Sequence, residues 1–378
     1  LFASFGYDNI RPFFSRRIGL GVPIIAGARV SGNLNRNLRL GLMDMQTEKV
    51  DETGLPSQNF AVLSLQQKVF SRSSIGLMMV NKESFDYDGL ADSLQTRYTK
   101  YNRNLGLEYN LASRDNAYTG KLFMLKSFGP EDSYDGFSQG AHLAYSSRKW
   151  NWRIQEQYVS RDFVSEVGYV PRNNYISFNG SLGYLFLPES EIVVSHGPKF
   201  FGQYYFDPDF HSTDYVSVLG YEVNFLNRSS LEVNYFNEFV ELLTPFDPTN
   251  TNKPELATGT RHYWNGFNWE YNSRPKSLFT YTFYGRLGRY YEGGSRTNVS
   301  SQIGYRIQPY ASLAATASYN KIDLPSPWNT TEFWLAGAEA DITFTNKLFW
   351  STLFQYNEQS KNFNLNSRFQ WRYAPASD

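Results

Sequence analysis

Apolar and polar residues alternate one by one along most of the chain. Between Asn362 and Tyr373, the residues Phe363, Leu365, Phe369, Trp371 and Tyr373 share one side, interrupted by Ser367. Asn364, Asn366, Arg368, Gln370 and Arg372 share the other. Trp150, Trp152, Ile154 and Tyr158 alternate with Asn151, Arg153, Gln155 and Gln157. Leu231, Val233, Tyr235 and Phe239 alternate with Glu232, Asn234 and Glu238. Phe279, Tyr281, Phe283 and Leu287, and then Val299, Ile303, Tyr305 and Ile307, repeat the pattern. A helix needs apolar residues three and four apart; period two predicts strands with one apolar and one polar face. About nineteen such segments lie between Pro23 and Tyr373.

The links between segments alternate in length. Short ones fall near 33–36, 71–72, 112–116, 147–149, 187–190, 227–229, 273–276, 308–309 and 345–347. Longer polar ones fall near 49–58, 85–96, 128–136, 161–173, 207–213, 243–258 and 322–330. Outer-membrane barrels join long strands by tight periplasmic turns and longer outward loops. The segments run to about 10–14 residues, the length that crosses a bilayer at a tilt, where globular strands average about 5–6. The prediction is an all-β fold: a large antiparallel transmembrane β-barrel of about 20–22 strands when complete, since bacterial single-chain barrels have even strand numbers. Residues 1–22 read as a linker or partial strand, and 23–378 as the barrel. Repeats of about 40–50 residues, which would mark a propeller, do not occur.

Composition narrows the class. Aromatic residues make up 17% of the chain, yet only 41% is hydrophobic and the mean hydropathy is -0.49. A strand wall with lipid on one side and a wet interior on the other accounts for both. No apolar run approaches the roughly 18 residues of a spanning helix. Lys+Arg and Asp+Glu are each 36, so no basic excess points to nucleic acid. Cysteine is absent, as suits an oxidising periplasm. No charged and then apolar leader follows Leu1, so a signal peptide is expected upstream. Residues 374–378 read as a short turn where barrels commonly end on a strand, so further C-terminal residues are expected too.

Several stretches resemble a family of outer-membrane barrels of uncharacterised function. They are Pro12-Phe13-Phe14-Ser15-Arg16-Arg17-Ile18-Gly19, Ala26-Gly27-Ala28-Arg29-Val30-Ser31-Gly32, Asp162-Phe163-Val164-Ser165-Glu166-Val167-Gly168-Tyr169-Val170-Pro171-Arg172 and Phe369-Gln370-Trp371-Arg372-Tyr373-Ala374-Pro375. In that family the barrel follows an N-terminal domain similar to family-nine carbohydrate-binding modules. The resemblance implies a barrel and supplies no catalytic residues.

Candidate chemistry is sparse. His142, His196, His211 and His262 are isolated in sequence, without metal-ligand spacing. Ser195 and His196 are adjacent and so should face opposite sides of a strand. Glu83, Asp86, Asp88 and Asp92 form an acidic stretch that suits either calcium or water. Arg11, Arg16 and Arg17 are the one basic cluster. No catalytic residue, cofactor or metal is assigned. Trp150, Trp334, Trp350 and Trp371 sit near turns, as interfacial anchors would. The alternation places Arg29, Arg39, Arg153, Glu232, Glu238, Arg286, Arg306, Glu339, Arg368 and Arg372 on the interior face. Their mixed signs argue against strong ion selectivity.

The expectation is a bacterial (Gram-negative) outer-membrane, porin-like protein. It would be a passive or plugged pore for a bulky neutral solute such as an oligosaccharide or peptide, or else a structural subunit of a larger outer-membrane complex. Expected partners are outer-membrane lipid, lipopolysaccharide and, in the second case, other outer-membrane proteins; neither nucleic acid nor enzymatic activity is expected.

Overall fold

A computed structural model describes residues 2 and 4–373; the turn expected at 374–378 lies outside the described residues. The fold is all-β, with nineteen strands in one antiparallel sheet. Among the described residues, no helix is long and apolar enough to cross a membrane.

The chain divides into two compact units. The first runs to Ser181 and includes Gln203–Ser212. It holds β1 (Ile24–Asn33), β2 (Leu38–Thr47), β3 (Gln58–Val69), β4 (Ser73–Ser84), β5 (Tyr101–Ala112), β6 (Tyr118–Phe128), β7 (Phe137–Ser146) and β8 (Trp150–Val159). Each strand pairs with the next in register, apart from one irregularity in β1. β9 (Tyr175–Tyr184) and β10 (Val193–Phe206) contribute to both units. The second unit holds β11 (Ser212–Phe225), β12 (Ser230–Glu241), β13 (Arg261–Asn272), β14 (Phe279–Arg289), β15 (Ser295–Ile307), β16 (Ala311–Asp323), β17 (Thr330–Thr345), β18 (Leu348–Asn357) and β19 (Asn362–Trp371). These too pair in chain order. Links 290–294 and 358–361 fall on the long-loop side yet are as brief as the turns. Among the described residues, one short α-helix, α1 (Asp92–Arg97), lies among the loops of the first unit.

One face of the sheet is apolar yet exposed, and the other buries polar and charged groups among apolar ones. In the first unit, the β4–β5 register sets Val80 against Asn104 and Leu77 against Leu107. The first pair lies on a face that buries Asn102, Asn104, Lys82 and Glu108, each 4% exposed or less. The second lies on a face where Leu107 and Met124 are each 58% exposed. The second unit repeats this, with Leu219, Phe267, Ile303 and Leu365 exposed on its apolar face.

Aromatic rings edge the apolar face. Beside the short turns, Tyr118, Tyr145 and Trp152 pack together in the first unit, and Tyr271 and Tyr281 stack in the second. At the loop ends of the second unit, Tyr215, Phe239 and Tyr263 form a row, and Tyr319 packs on Trp334. Tyr263 and Tyr271 are eight residues apart on β13. That is about 27 Å along the strand, or about 21 Å at a tilt near 40°, close to the ~25 Å apolar band of an outer-membrane barrel.

Candidate functional site: the polar face and the segments folded onto it

The polar face of the first unit is covered by two segments of its own chain. Residues 4–19 form no strand, only isolated bridges and a 3-10 turn at Ser15–Arg17. Phe2, Phe5, Ile10 and Phe13 bury against Phe123, Leu125, Val62 and Val80. Polar groups from the strands answer the segment's backbone. The Gly6 amide donates to Glu108 Oε2 at 3.1 Å, and Lys121 Nζ donates to the carbonyls of Ser4 and Gly6 at 2.8 and 2.9 Å. Lys121 and Glu108 also pair with each other at 3.1 Å. Tyr7 Oη meets His142 Nδ1 at 3.1 Å. Asn9 Nδ2 donates to Gln157 Oε1 and Tyr175 Oη.

The second segment is the 160–174 link. Phe163 and Val167 are fully buried, although a longer polar, outward link was expected here. The Val164 amide donates to Ser127 Oγ at 3.2 Å. The Glu166 carboxylate accepts from Lys82 Nζ at 2.6 Å and from Thr99 Oγ1 at 2.5 Å. The two segments also bind one another. The Arg11 and Tyr169 amides and carbonyls exchange hydrogen bonds, the Phe14 amide donates to the Val167 carbonyl at 2.7 Å, and Ser165 Oγ donates to the Pro12 carbonyl. Gly168 lies so close to the Arg11 carbonyl that a Cβ would sit 2.2 Å from its oxygen. These are the stretches that carry the family resemblance at 12–19 and 162–172. Their proximity was invisible in sequence; the apolar content of 163–170, high for a solvated loop, was the available signal.

In the second unit, charges bracket a neutral band. Towards the loop ends, Glu238 accepts from Trp264 Nε1 at 2.6 Å and from Arg286 at 3.1 Å, with the guanidinium 4.2 Å from the Phe236 ring centre. Towards the short turns, Glu232 pairs with Lys199, Arg306 donates to the Pro275 carbonyl, and Arg372 lies over Phe349. Between these, Thr282, Ser300, Gln302, Thr316, Ser318 and Asn364 line a cavity of about 470 Å³. Glu339 and Asp341 line a neighbouring cavity of about 630 Å³. Loops close over the loop end of this unit: Trp328 Nε1 donates to the Pro254 carbonyl at 2.7 Å, and Tyr290, Tyr291, Leu256 and Leu324 bury with it.

The strand registers place each interior candidate. Arg29 lies opposite Met43 and over the Phe2 ring, Arg39 opposite Gln66, and Arg153 opposite Ala144 with its guanidinium on Gln155. Glu232, Glu238, Arg286, Arg306, Glu339 and Arg368 fall on the polar face of the second unit, and Arg372, just past β19, lies over the Phe349 ring. Only Glu238 and Arg286 among the ten pair with one another. Lys82, Glu108 and Lys121 occupy equivalent positions by the same alternation and hold the inward segments.

The acidic stretch does not gather. Asp88 pairs with Lys100, and Glu83 on β4 lies near Arg103. Asp207, Asp209 and His211 do converge, on an exposed turn where Asp207 Oδ1 accepts both the Asp209 and His211 amides. Those amides hold the Asp207 carboxyl below its usual range, with the His211 amide contributing most. Ser195 and His196 diverge, Ser195 meeting Asn224 and His196 meeting Tyr221.

A family model described as a domain of unknown function, DUF5916, matches residues 19–378. The chain belongs to this family. No curated protein matches it in sequence. Solved structures resemble it at low identity. The ferric enterobactin receptor PfeA, in complex with BCV-L6, is 9% identical over 87% of this chain and 72% of its own, with a TM-score of 0.45. The siderophore receptor PirA from Acinetobacter baumannii is 11% identical over 91% and 77%, with a TM-score of 0.43. The copper transporter OprC is 10% identical over 92% and 64%, at 0.36.

Proposed function

We propose that this chain is a bacterial outer-membrane β-barrel whose interior is narrowed by its own inward-folded segments and admits a bulky neutral solute. The observation that carries the reading is the exposed apolar face of the sheet, opposite a face that buries charged groups. Leu107 and Met124 face outward while Lys82, Glu108, Asn102 and Asn104 are buried. In water this arrangement would forfeit apolar burial and desolvate charge; in a bilayer each face meets its own solvent. Aromatic rows at both strand ends fit the headgroup levels. The neutral amide and hydroxyl band, bracketed by charges of both signs, supports an uncharged polar solute over an ion. No catalytic role is part of the proposal, and the surroundings would be outer-membrane lipid and lipopolysaccharide.

A second reading, a structural subunit of an outer-membrane complex, is favoured by the filled polar face of the first unit. Single-channel conductance of the folded protein in planar bilayers separates them. Open steps blocked by neutral oligosaccharides support the pore; a folded but silent barrel sinks it and favours the subunit.

A further inference from the structure

The 4–19 and 160–174 segments leave a cavity of about 520 Å³ in the first unit, lined by Arg17, Lys82, Arg97, Tyr98, Thr99 and Glu166 among others. Three cations thus border one space, and among the described lining residues Glu166 is the one carboxylate. Glu166 is already engaged by Lys82 Nζ and Thr99 Oγ1. Among the described residues, neither Arg17 nor Arg97 has an ion-pair partner, and Arg97 rests over the Tyr98 ring at 5.4 Å. Arg17 lies within one family-matching stretch and Glu166 within the other, so the contact between the stretches builds the cavity.

We propose that this cavity binds a phosphate-sized oxyanion, held by the Arg17 and Arg97 guanidiniums and competing with Glu166 for Lys82. The argument is one of charge and shape. Guanidinium groups present paired N–H donors that match oxyanion geometry, and an excess of two positive charges around one open recess, with Arg17 and Arg97 on its exposed rim, attracts anions. Glu166 acts as a resident anion, and an incoming phosphate or carboxylate group repeats its contacts. Gln58, Phe60 and Lys82 reach the cavity from the polar face of β3 and β4. A soluble anion therefore has access, whereas a lipid headgroup would approach from the opposite face. The site lies wholly within the first unit and does not depend on solute passage.

The test is titration of inorganic phosphate into the full folded chain in neutral detergent, followed by phosphorus NMR. Folding of each variant is checked by heat-modifiable migration and circular dichroism. Saturable binding below ~10 mM is expected, weakened at least about tenfold in R17Q/R97Q. E166Q should tighten it about threefold or more by releasing Lys82, and R16Q should leave it unchanged. Absent binding, or equal binding in wild type and R17Q/R97Q, overturns the site. So does binding confined to vesicles of anionic phospholipid, which would mean a headgroup contact instead. A barrel silent in bilayers would defeat the pore reading and leave this result standing.

Discussion

Asn102 clasps the backbone on either side of Ser165. Its Oδ1 accepts the Glu166 amide at 3.0 Å, and its Nδ2 donates to the Val164 carbonyl at 3.1 Å. Asn102 is fully buried on β5, so no water competes for either bond. A side-chain amide can answer a backbone N–H with its oxygen and a C=O with its NH2, and here it joins β5 to a segment more than sixty residues later.

Truncating that amide should loosen the segment without unmaking the sheet. N102A leaves the Glu166 amide and the Val164 carbonyl unanswered, at about 1–3 kcal/mol for each group. Hydrogen exchange at Glu166 should quicken at least tenfold, and protease should cut within 160–174. Exchange unchanged from wild type would mean that Ser127 and Lys82 suffice to hold the segment.

The Lys82–Glu166 pair should matter where surface pairs do not. The Lys82 side chain is 5% exposed and that of Glu166 26%, whereas Lys49 and Asp51 are solvated at 59% and 86%. A double-mutant cycle with K82M and E166Q should give a coupling of about 1–3 kcal/mol, because losing one partner strands a desolvated charge. The same cycle on Lys49 and Asp51 should give none that is measurable. Equal couplings would contradict the burial of Lys82.

Acid should open the loop that contains Asp247. Partial burial of its carboxyl raises the pKa, but the Thr249 hydroxyl and the amides of Thr249, Thr251 and Lys253 outweigh it and bring the value to about 2. The folded value lies below the unfolded one, so this stabilisation is fully present above about pH 4 and is lost as pH falls towards 2. Protection of the Thr251 and Lys253 amides, measured relative to their intrinsic exchange at each pH, should fall across that window in the wild type and stay constant in D247N. Loss of protection near neutral pH would assign the effect to another group.

The strands were legible because period two survives wherever one face of a strand is apolar and the other polar. Trp150 to Val159 is a strand in both readings, and Arg153 falls on the polar face by counting alone. Links 290–294 and 358–361 were hidden because loop length, the clue to sidedness, fails when an outward loop is as short as a turn. The inward course of residues 4–19 was hidden for a different reason. Phe2, Phe5, Ile10 and Phe13 follow no strand or helix period, because an irregular segment takes its pattern from the surface it meets. The pairing of Glu238 with Arg286 was also out of reach, since alternation gives the face of a residue and not its height relative to a neighbour two strands away.

The membrane reading makes its sharpest prediction at one strand. On β5, Leu107 points to the apolar face and Asn104 to the polar face. If the apolar face meets water, L107R replaces an exposed side chain by a solvated one and should be neutral or favourable. If it meets lipid near mid-depth, arginine should cost about 2–4 kcal/mol, and the same change nearer a strand end should cost little. Reversible unfolding of L107R and of L111R, closer to the short turn, measures both depths in one strand. A large penalty at Leu107 that fades at Leu111 requires a hydrocarbon slab along β5, since overpacking of a buried core is excluded at a residue 58% exposed. Equal, small effects at both positions would place the apolar face in water and remove the basis of the barrel proposal.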